Sequence, residues 1–459
     1  MKQGLATLVS FIAIVVATLL ALEPATSQDA ARDPGLRPGP AGAGGPIDGL
    51  TRNELRFFQH GKEDFEEVEE VDEGLGPRMN LDSCGGCHSQ PAIGGSSPAR
   101  NPQVAFAQAA NPSQYPAVQA FIKPDGPVRE ARFVRNADGT SDGGVHALFT
   151  ITGRDGADGG CSLRQPDFAG EIQRGNVIFR IPTAMFGAGL IEQIPDAAIL
   201  DNMQANAAEK AALGIRGKPN LAVSGRTLFG STNRNDNDGT VARFGWKAQN
   251  QSLLIFSGEA YNVEMGITSE MFQSEREQAK GCQYAQVPND TQDFNAGDAL
   301  TGTTAIQNFA NFQRFLAPPK PSPDTPGGSA SIARGRGAFA SVGCALCHTP
   351  SLRTSDKATV FALRNREVKL FSDLVLHDMG ARLADGVSQG SAGPSEFRTP
   401  PLWGLGQRIF FLHDGRTSDL KVAIQEHASE GSEANGVVGR YNELREDQKQ
   451  DLLNFLRSL

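Results

Sequence analysis

Two short stretches constrain this chain more than anything else in it: Cys84-Gly85-Gly86-Cys87-His88 and Cys344-Ala345-Leu346-Cys347-His348. Two cysteines three apart, with histidine directly after, form the attachment sequence for a c-type haem. The spacing follows from the chemistry. One helical turn brings both sulfurs to the haem edge as thioethers, and the next side chain swings under the iron as an axial ligand. A zinc ribbon also uses paired C-x-x-C, but its pairs lie about 15–20 residues apart. Here the whole middle of the chain separates Cys87 from Cys344, and a histidine follows each pair. The expected cofactors are two covalently attached c-type haems. Cys84, Cys87, Cys344 and Cys347 are the attachment points, and His88 and His348 the iron ligands.

Residues 1–27 read as a secretory signal peptide. Lys2 gives a positive start, Leu5–Leu22 is apolar, and Ala25-Thr26-Ser27 offers a small-residue cleavage site. The alternative is a membrane anchor, since the apolar run is near the shortest spanning length; the cleavage site favours removal. The expectation is a periplasmic protein that meets the membrane only transiently, through its signal peptide. An oxidising compartment lets Cys161 and Cys282, the two cysteines outside the motifs, pair as a disulfide. A net charge of −9 without any basic tract excludes nucleic acid as a partner.

The remaining pattern predicts a mainly α protein: two cytochrome c-like haem domains with a loop-rich middle region carrying short β segments. A chain of 459 residues is too long for one simple core. Residues 28–50, rich in Pro, Gly and Ala, read as a flexible leader. Residues 51–152 form an N-terminal haem c domain. Its acidic run Glu63–Glu73 is either a solvated face or a docking patch for a basic electron carrier. Residues 153–316 are a middle region completing that domain, with β-like pieces at Thr240–Phe244 and Ser252–Phe256. The stretch Asn235–Gly239 superficially resembles a calcium loop, fails its template, and reads as a turn. A stiff Pro-rich linker, 317–328, leads to a C-terminal cytochrome c domain, 329–459. There Leu452, Phe455, Leu456 and Leu459 mark one face of a closing helix. No internal repeat beyond the two haem units is evident.

Further motifs carry a family resemblance. Phe397-Arg398-Thr399-Pro400-Pro401-Leu402 and Phe411-Leu412-His413-Asp414-Gly415 resemble bacterial di-haem cytochrome c peroxidases. Leu376-His377-Asp378-Met379-Gly380, Leu383-Ala384-Asp385-Gly386, Arg243-Phe244-Gly245-Trp246-Lys247-Ala248 and Met265-Gly266-Ile267-Thr268 resemble the related di-haem oxidoreductases, also labelled thiol oxidoreductases. The similarity runs from about Gly49 to the C-terminus.

The resemblance implies a relay haem in the C-terminal domain and a peroxide-cleaving haem in the N-terminal one. For the relay haem's sixth ligand, these peroxidases commonly use a methionine after the His-Asp-Gly turn. The same interval here falls on His427, which shares a helical face with Leu420, Ala423 and Ile424. Met379 competes, with His377 beside it. The displaceable histidine of the peroxidases has no counterpart after the first motif, so His146 is the candidate distal ligand or pocket residue. Relatives use a glutamate to move a proton between the peroxide oxygens, and Glu192 is the candidate here. Trp246 is a bridge between the haems or a packed core residue, and His413 supports the ligands from behind. Arg398 and Arg416 clamp haem propionates or form surface ion pairs. A calcium ion between the domains is a further expectation.

The resulting expectation is a periplasmic di-haem c-type oxidoreductase that reduces hydrogen peroxide. Its electrons come from a small soluble donor protein, a cytochrome c or a cupredoxin. One alternative is a di-haem electron-transfer cytochrome without its own chemistry. Another is oxidation of an organic or protein substrate by high-valent haem. A free sixth position on one iron separates the first reading from the second.

Overall fold

A capping box starts the first long helix. Thr51 accepts a hydrogen bond from the Glu54 N–H, and the Glu54 carboxylate accepts from the Thr51 N–H. Two donors that the first turn leaves open are thereby satisfied. The helices that shape the molecule are α1 (Arg52–Glu66), α2 (Leu253–Met265), α3 (Ala305–Phe315), α4 (Gly328–Val342), α5 (Leu420–Glu426) and α6 (Glu446–Ser458). The computed structural model describes residues 30–109, 119–152, 156–157, 160–221, 241–274, 281–283 and 287–459. The expected signal peptide and the Asn235–Gly239 turn lie outside the described residues.

Helices dominate, and the described β structure is confined to small antiparallel sheets. One has the order β2-β1-β3, from β1 (Glu130–Phe133), β2 (Val145–His146) and β3 (Val177–Arg180). Another pairs β4 (Leu376–Asp378) with β5 (Glu396–Arg398). Cys161 and Cys282 sit at disulfide-bonding distance, with Cα atoms 4.7 Å apart.

One packing plan is used twice. α1 crosses α3 where Gly61 lies against the Asn308 backbone, and a Cβ there would overlap its carbonyl. α4 crosses α6 in the same way, with Gly335 against the carbonyl of Asp451. Only a glycine allows two helix backbones to approach so closely. Phe65 of α1 meets Phe312 of α3 with ring centroids 5.0 Å apart, and Phe339 of α4 meets Phe455 of α6 at 5.4 Å. Leu452, Phe455, Leu456 and Leu459 are all buried, as their helical spacing requires.

The duplication extends well past the cysteine motifs. Gly187 and Gly404 both have positive φ (67° and 75°), and each donates its N–H to the last residue of a closing segment, Leu316 and Leu459. A single bridge joins Phe244 to Asn250, and another joins Phe411 to Thr417. Two residues beyond each bridge an N-cap opens a helix: Ser252 for α2 and Asp419 for α5. The sequence shows no such repeat, because the equivalent positions share backbone geometry while their side chains differ.

Two expectations are corrected here. The apolar run Ser252–Phe256 is the start of α2 rather than a strand; the Ser252 side chain accepts from the Ile255 N–H and fixes the first turn. Leu-Leu-Ile-Phe has strand-like propensity, but tertiary packing overrides it. The leader is not loose from residue 30 onward. Asp33 forms a buried ion pair with Arg457, the Ala31 N–H donates to Glu446, and Lys421 donates to the Ala31 carbonyl. The segment then pairs by backbone with Gly406, with Lys320 and Ala317 of the Pro-rich linker, and with Phe315. Hydrogen bonds to distant partners hold it as a strap, which composition alone does not reveal.

Candidate haem sites

Each motif histidine sits on its fold unit in the same way. His88 donates from Nδ1 to the Gly95 carbonyl (3.0 Å), and His348 to the Phe371 carbonyl (3.1 Å). A carbonyl only accepts, so Nδ1 carries the proton and Nε2 keeps its lone pair for a metal. Burial pushes both imidazoles down to about 4, so they are neutral at ordinary pH, as ligands must be. Phe65 leans on the His88 ring at 6.0 Å and Phe339 on the His348 ring at 6.3 Å.

Each motif opens onto its own cavity. The first, about 1140 Å³ with its mouth included, is lined by Cys84, Cys87 and His88 and by one face of α2. The second, about 1430 Å³, is lined by Cys344, Cys347 and His348 and by α5. Burial raises the Cys84 and Cys344 thiols to about 12, which makes them poor nucleophiles as free thiols.

The polar groups on these walls fit haem. Buried side-chain atoms rarely lack a hydrogen-bond partner. Here Nε of Arg180 and Oε1 of Gln249 and Gln313 lack one at the first cavity, as does the Tyr441 hydroxyl at the second. Arg398 and Arg408 face the second cavity, and among the described residues neither is paired with a carboxylate. Burial lowers both guanidiniums to about 10, a cost that the propionates of a haem would offset. Arg416 is corrected as a clamp: it lies outside both linings, bound to Asp414 and Glu426.

The structure brings His427 to the second cavity, on the wall shared with His348. Its Nδ1 donates to the Ala423 carbonyl at 2.7 Å, leaving Nε2 with a lone pair, and burial lowers its pKa. Met379 lines the same cavity and remains a competing ligand. His377 does not compete. Its Nε2 meets Asp373 at 2.9 Å and its Nδ1 meets Glu433 at 2.8 Å. Burial alone would lower its pKa, but Asp373 leads the charges that hold it protonated. His413 also lines this cavity, stacked on Phe397 with centroids 4.4 Å apart.

The first cavity departs from expectation. His146 is not on its lining; it meets Asp142 at 2.9 Å and stacks on Phe133 at 3.7 Å. Strand alternation explains this, because β2 turns Val145 inward and His146 the other way. Glu192 is also absent from that lining. It pairs with Arg314 at 2.9 Å and accepts from the Leu253 N–H at 3.0 Å, so it anchors the start of α2 to α3. The groups sequence reasoning missed are on α2 itself, where Phe256, Ala260 and Glu264 follow helical spacing along the cavity wall. Glu264 accepts from Asn80 at 2.9 Å and hydrogen-bonds Glu130, which is held by Arg132 at 2.7 Å. A helical reading of Leu253–Met265 would have found them.

Trp246 lines both cavities and the small one between them, and its Nε1–H donates to the Ile181 carbonyl at 2.9 Å. That small cavity has no carboxylate, and Arg398 and Arg408 border it. Two guanidiniums oppose a divalent cation, so calcium does not fit this place.

Two motif-bearing cavities joined through one tryptophan define a di-haem redox protein. The chain belongs to the family described as "di-haem oxidoreductase, putative peroxidase", whose model matches residues 167–459. Among solved structures it is similar to hydrazine synthase of Kuenenia stuttgartiensis, at 13% identity and TM-score 0.34, covering 99% of this chain and 100% of that one. It is also similar to a MauG-like protein associated with microbial copper homeostasis, at 17% identity and TM-score 0.30, covering 61% of this chain and 90% of that one. No curated protein matches the chain.

Proposed function

We propose that the protein is a periplasmic peroxidase that reduces hydrogen peroxide in the first cavity, with electrons relayed from the second. Its cofactors are two c-type haems attached through Cys84, Cys87, Cys344 and Cys347, in two cytochrome c-like domains. One observation carries the reading. Ala260 stands on α2 where His427 stands on α5, counting equally from the Phe244 and Phe411 bridges and the Ser252 and Asp419 caps. A haem held by His348 would share its cavity with a second histidine, His427, whereas the matching position on the first cavity is the Ala260 methyl group.

A bound haem supplies an iron that takes up peroxide and exchanges single electrons. The chain supplies the rest. Glu264 faces the cavity and moves a proton from the inner to the outer peroxide oxygen. Asn80 and Glu130 hold its carboxyl in place. Trp246 gives the electron path between the cavities. The acidic stretch Glu63–Glu73 suits a basic donor protein, a small cytochrome or cupredoxin.

One observation favours a plain electron-transfer cytochrome: Met265 lines the first cavity with its sulfur 3.8 Å from the Cys84 sulfur, and a thioether can ligate iron. An EPR spectrum of the oxidised protein separates the two. A high-spin signal that shifts on adding cyanide is the expected result. Two low-spin signals that cyanide leaves untouched would defeat the peroxidase reading.

A further inference from the structure

Tyr261 is a second buried hydrogen-bonding group on the first cavity, and its partner is unusual. The residue is only 4% exposed, it lines the cavity, and its hydroxyl donates to Oε1 of Glu69 at 2.6 Å. Glu69 is itself 6% exposed and forms no ion pair among the described residues. The charges that act on it, those of Glu67, Glu73 and Asp290, are carboxylates and disfavour its ionised form. A buried carboxylate without a cation is costly, and a salt bridge would serve better if the pair were only structural. A phenol against a carboxylate does have a chemical use. Removing an electron from tyrosine makes its proton strongly acidic, so the electron leaves easily only where a base is already in place.

An aromatic route leads from this pair to the iron ligand. Tyr261 meets Phe309 edge-on at 5.0 Å, Phe309 meets Phe65 at 6.1 Å, and Phe65 meets His88 at 6.0 Å. At the other end, Glu69 belongs to the acidic stretch proposed above as the donor's docking face.

We infer that Tyr261 is a one-electron donor to the first haem site, with Glu69 accepting its proton. The step balances as follows. Hydrogen peroxide is the oxidant and takes two electrons and two protons to become two molecules of water; one electron comes from Tyr261, the other is relayed from the second haem site, and solvent supplies both protons. The phenolic O–H bond breaks, its proton forms an O–H bond on Glu69, and a neutral tyrosyl radical remains. An electron from the donor protein, with the proton returning from Glu69, restores the phenol. This inference rests on the proposal that peroxide reacts in the first cavity.

The test is freeze-quench EPR of the haem-loaded protein after hydrogen peroxide, with peroxide consumption followed in the same samples. The expected signal is an organic radical that narrows when the protein carries ring-deuterated tyrosine and falls at least tenfold in Tyr261→Phe. Glu69→Gln keeps the phenol and a hydrogen-bond acceptor but not the base. It should form the radical at least tenfold more slowly, with an altered solvent deuterium isotope effect. Unchanged haem spectra and a single cooperative thermal transition exclude misfolding in both variants. An unchanged radical in Tyr261→Phe, or peroxide consumption without a tyrosine-derived signal, overturns this inference alone. Equal radical formation in Glu69→Gln removes Glu69 from it. If the parent protein consumes no peroxide, the proposed function falls and this inference with it.

Discussion

Trp246 and His413 hold the same place in the two halves of the fold, and they meet edge to face with ring centroids 6.4 Å apart at 73°. Each half reaches across to the other beside them. The Arg398 N–H donates to the Trp246 carbonyl at 2.9 Å, and the Ile181 N–H donates to the His413 carbonyl at 2.8 Å. The contact between the two cavities is therefore a reciprocal exchange of backbone hydrogen bonds around two aromatic rings. Trp246→Phe keeps a ring but loses the Nε1–H bond to Ile181. We expect slower electron exchange between the sites, measured by stopped-flow reduction, and a stability loss of only about 1 kcal/mol. Unaltered exchange would remove Trp246 from the path.

Glu264 and Glu192 separate by kinetics. Glu264→Gln should slow reaction with peroxide by about two to four orders of magnitude, the range of lost acid–base work. Glu192→Gln should leave that rate nearly unaltered, because Glu192 faces Arg314 and the start of α2 instead. Glu192→Ala leaves Arg314 as half of a broken buried pair, at a cost of about 3–5 kcal/mol by thermal or urea unfolding. The opposite pattern of rates would return the proton-moving role to Glu192.

His427→Met should raise the reduction potential of one haem and leave the other nearly unaltered, since a thioether favours reduced iron. Spectroelectrochemistry reads both potentials. Met379→Leu is the control and should alter neither. If Met379→Leu instead shifts a potential while His427→Met does not, the second iron is bound by Met379.

How much of this was legible beforehand depended on the kind of signal. The two motifs, the apolar face of α6 and the helical interval to His427 are local patterns, and local patterns survive in sequence. Ala260 carried none, because an alanine marks a site only when its counterpart His427 is superposed on it. Glu264 lay in a stretch whose β-branched and aromatic start imitated a strand. Glu192 attracted attention as a glutamate beside a Gly-rich turn, but pairing with Arg314, far away in sequence, decided its role. The strap was illegible for the same reason, since its partners are near the other end of the chain.

The glycine crossings make a stability prediction. Gly61→Ala and Gly335→Ala each place a methyl group into the backbone of the facing helix. Each should cost about 1–3 kcal/mol or more, as overpacking does. Gly337→Ala is the control: it lies on α4 with open space around its Cβ position and should be neutral or slightly stabilising. Calorimetry gives the comparison, and equal midpoints for Gly335→Ala and Gly337→Ala would contradict the crossing geometry.

Glu69 should make stability depend on pH. Burial pushes its carboxyl up from 4.5 to about 7, against the lowering effect of the Tyr261 hydrogen bond. The folded state thus binds this proton more tightly than the unfolded chain does. Its contribution is fully present below pH 4.5 and is lost as pH rises through about 7, amounting to up to about 3 kcal/mol. Glu69→Gln cannot ionise, so thermal unfolding should show a flatter profile between pH 5 and 8. Parallel profiles would mean that Glu69 ionises normally.

The strap also dictates an order of assembly. Asp33 is bound to Arg457 across 424 positions, and Ala31 to Glu446 across 415. The strap is synthesised well before its anchors, so it stays undocked until α6 exists. Loop-closure entropy disfavours such distant contacts until the intervening chain is already folded. Docking of residues 31–47 therefore reports that α6 has formed. A chain in which α6 has not formed keeps this segment open to proteases, and α6, once formed, covers it.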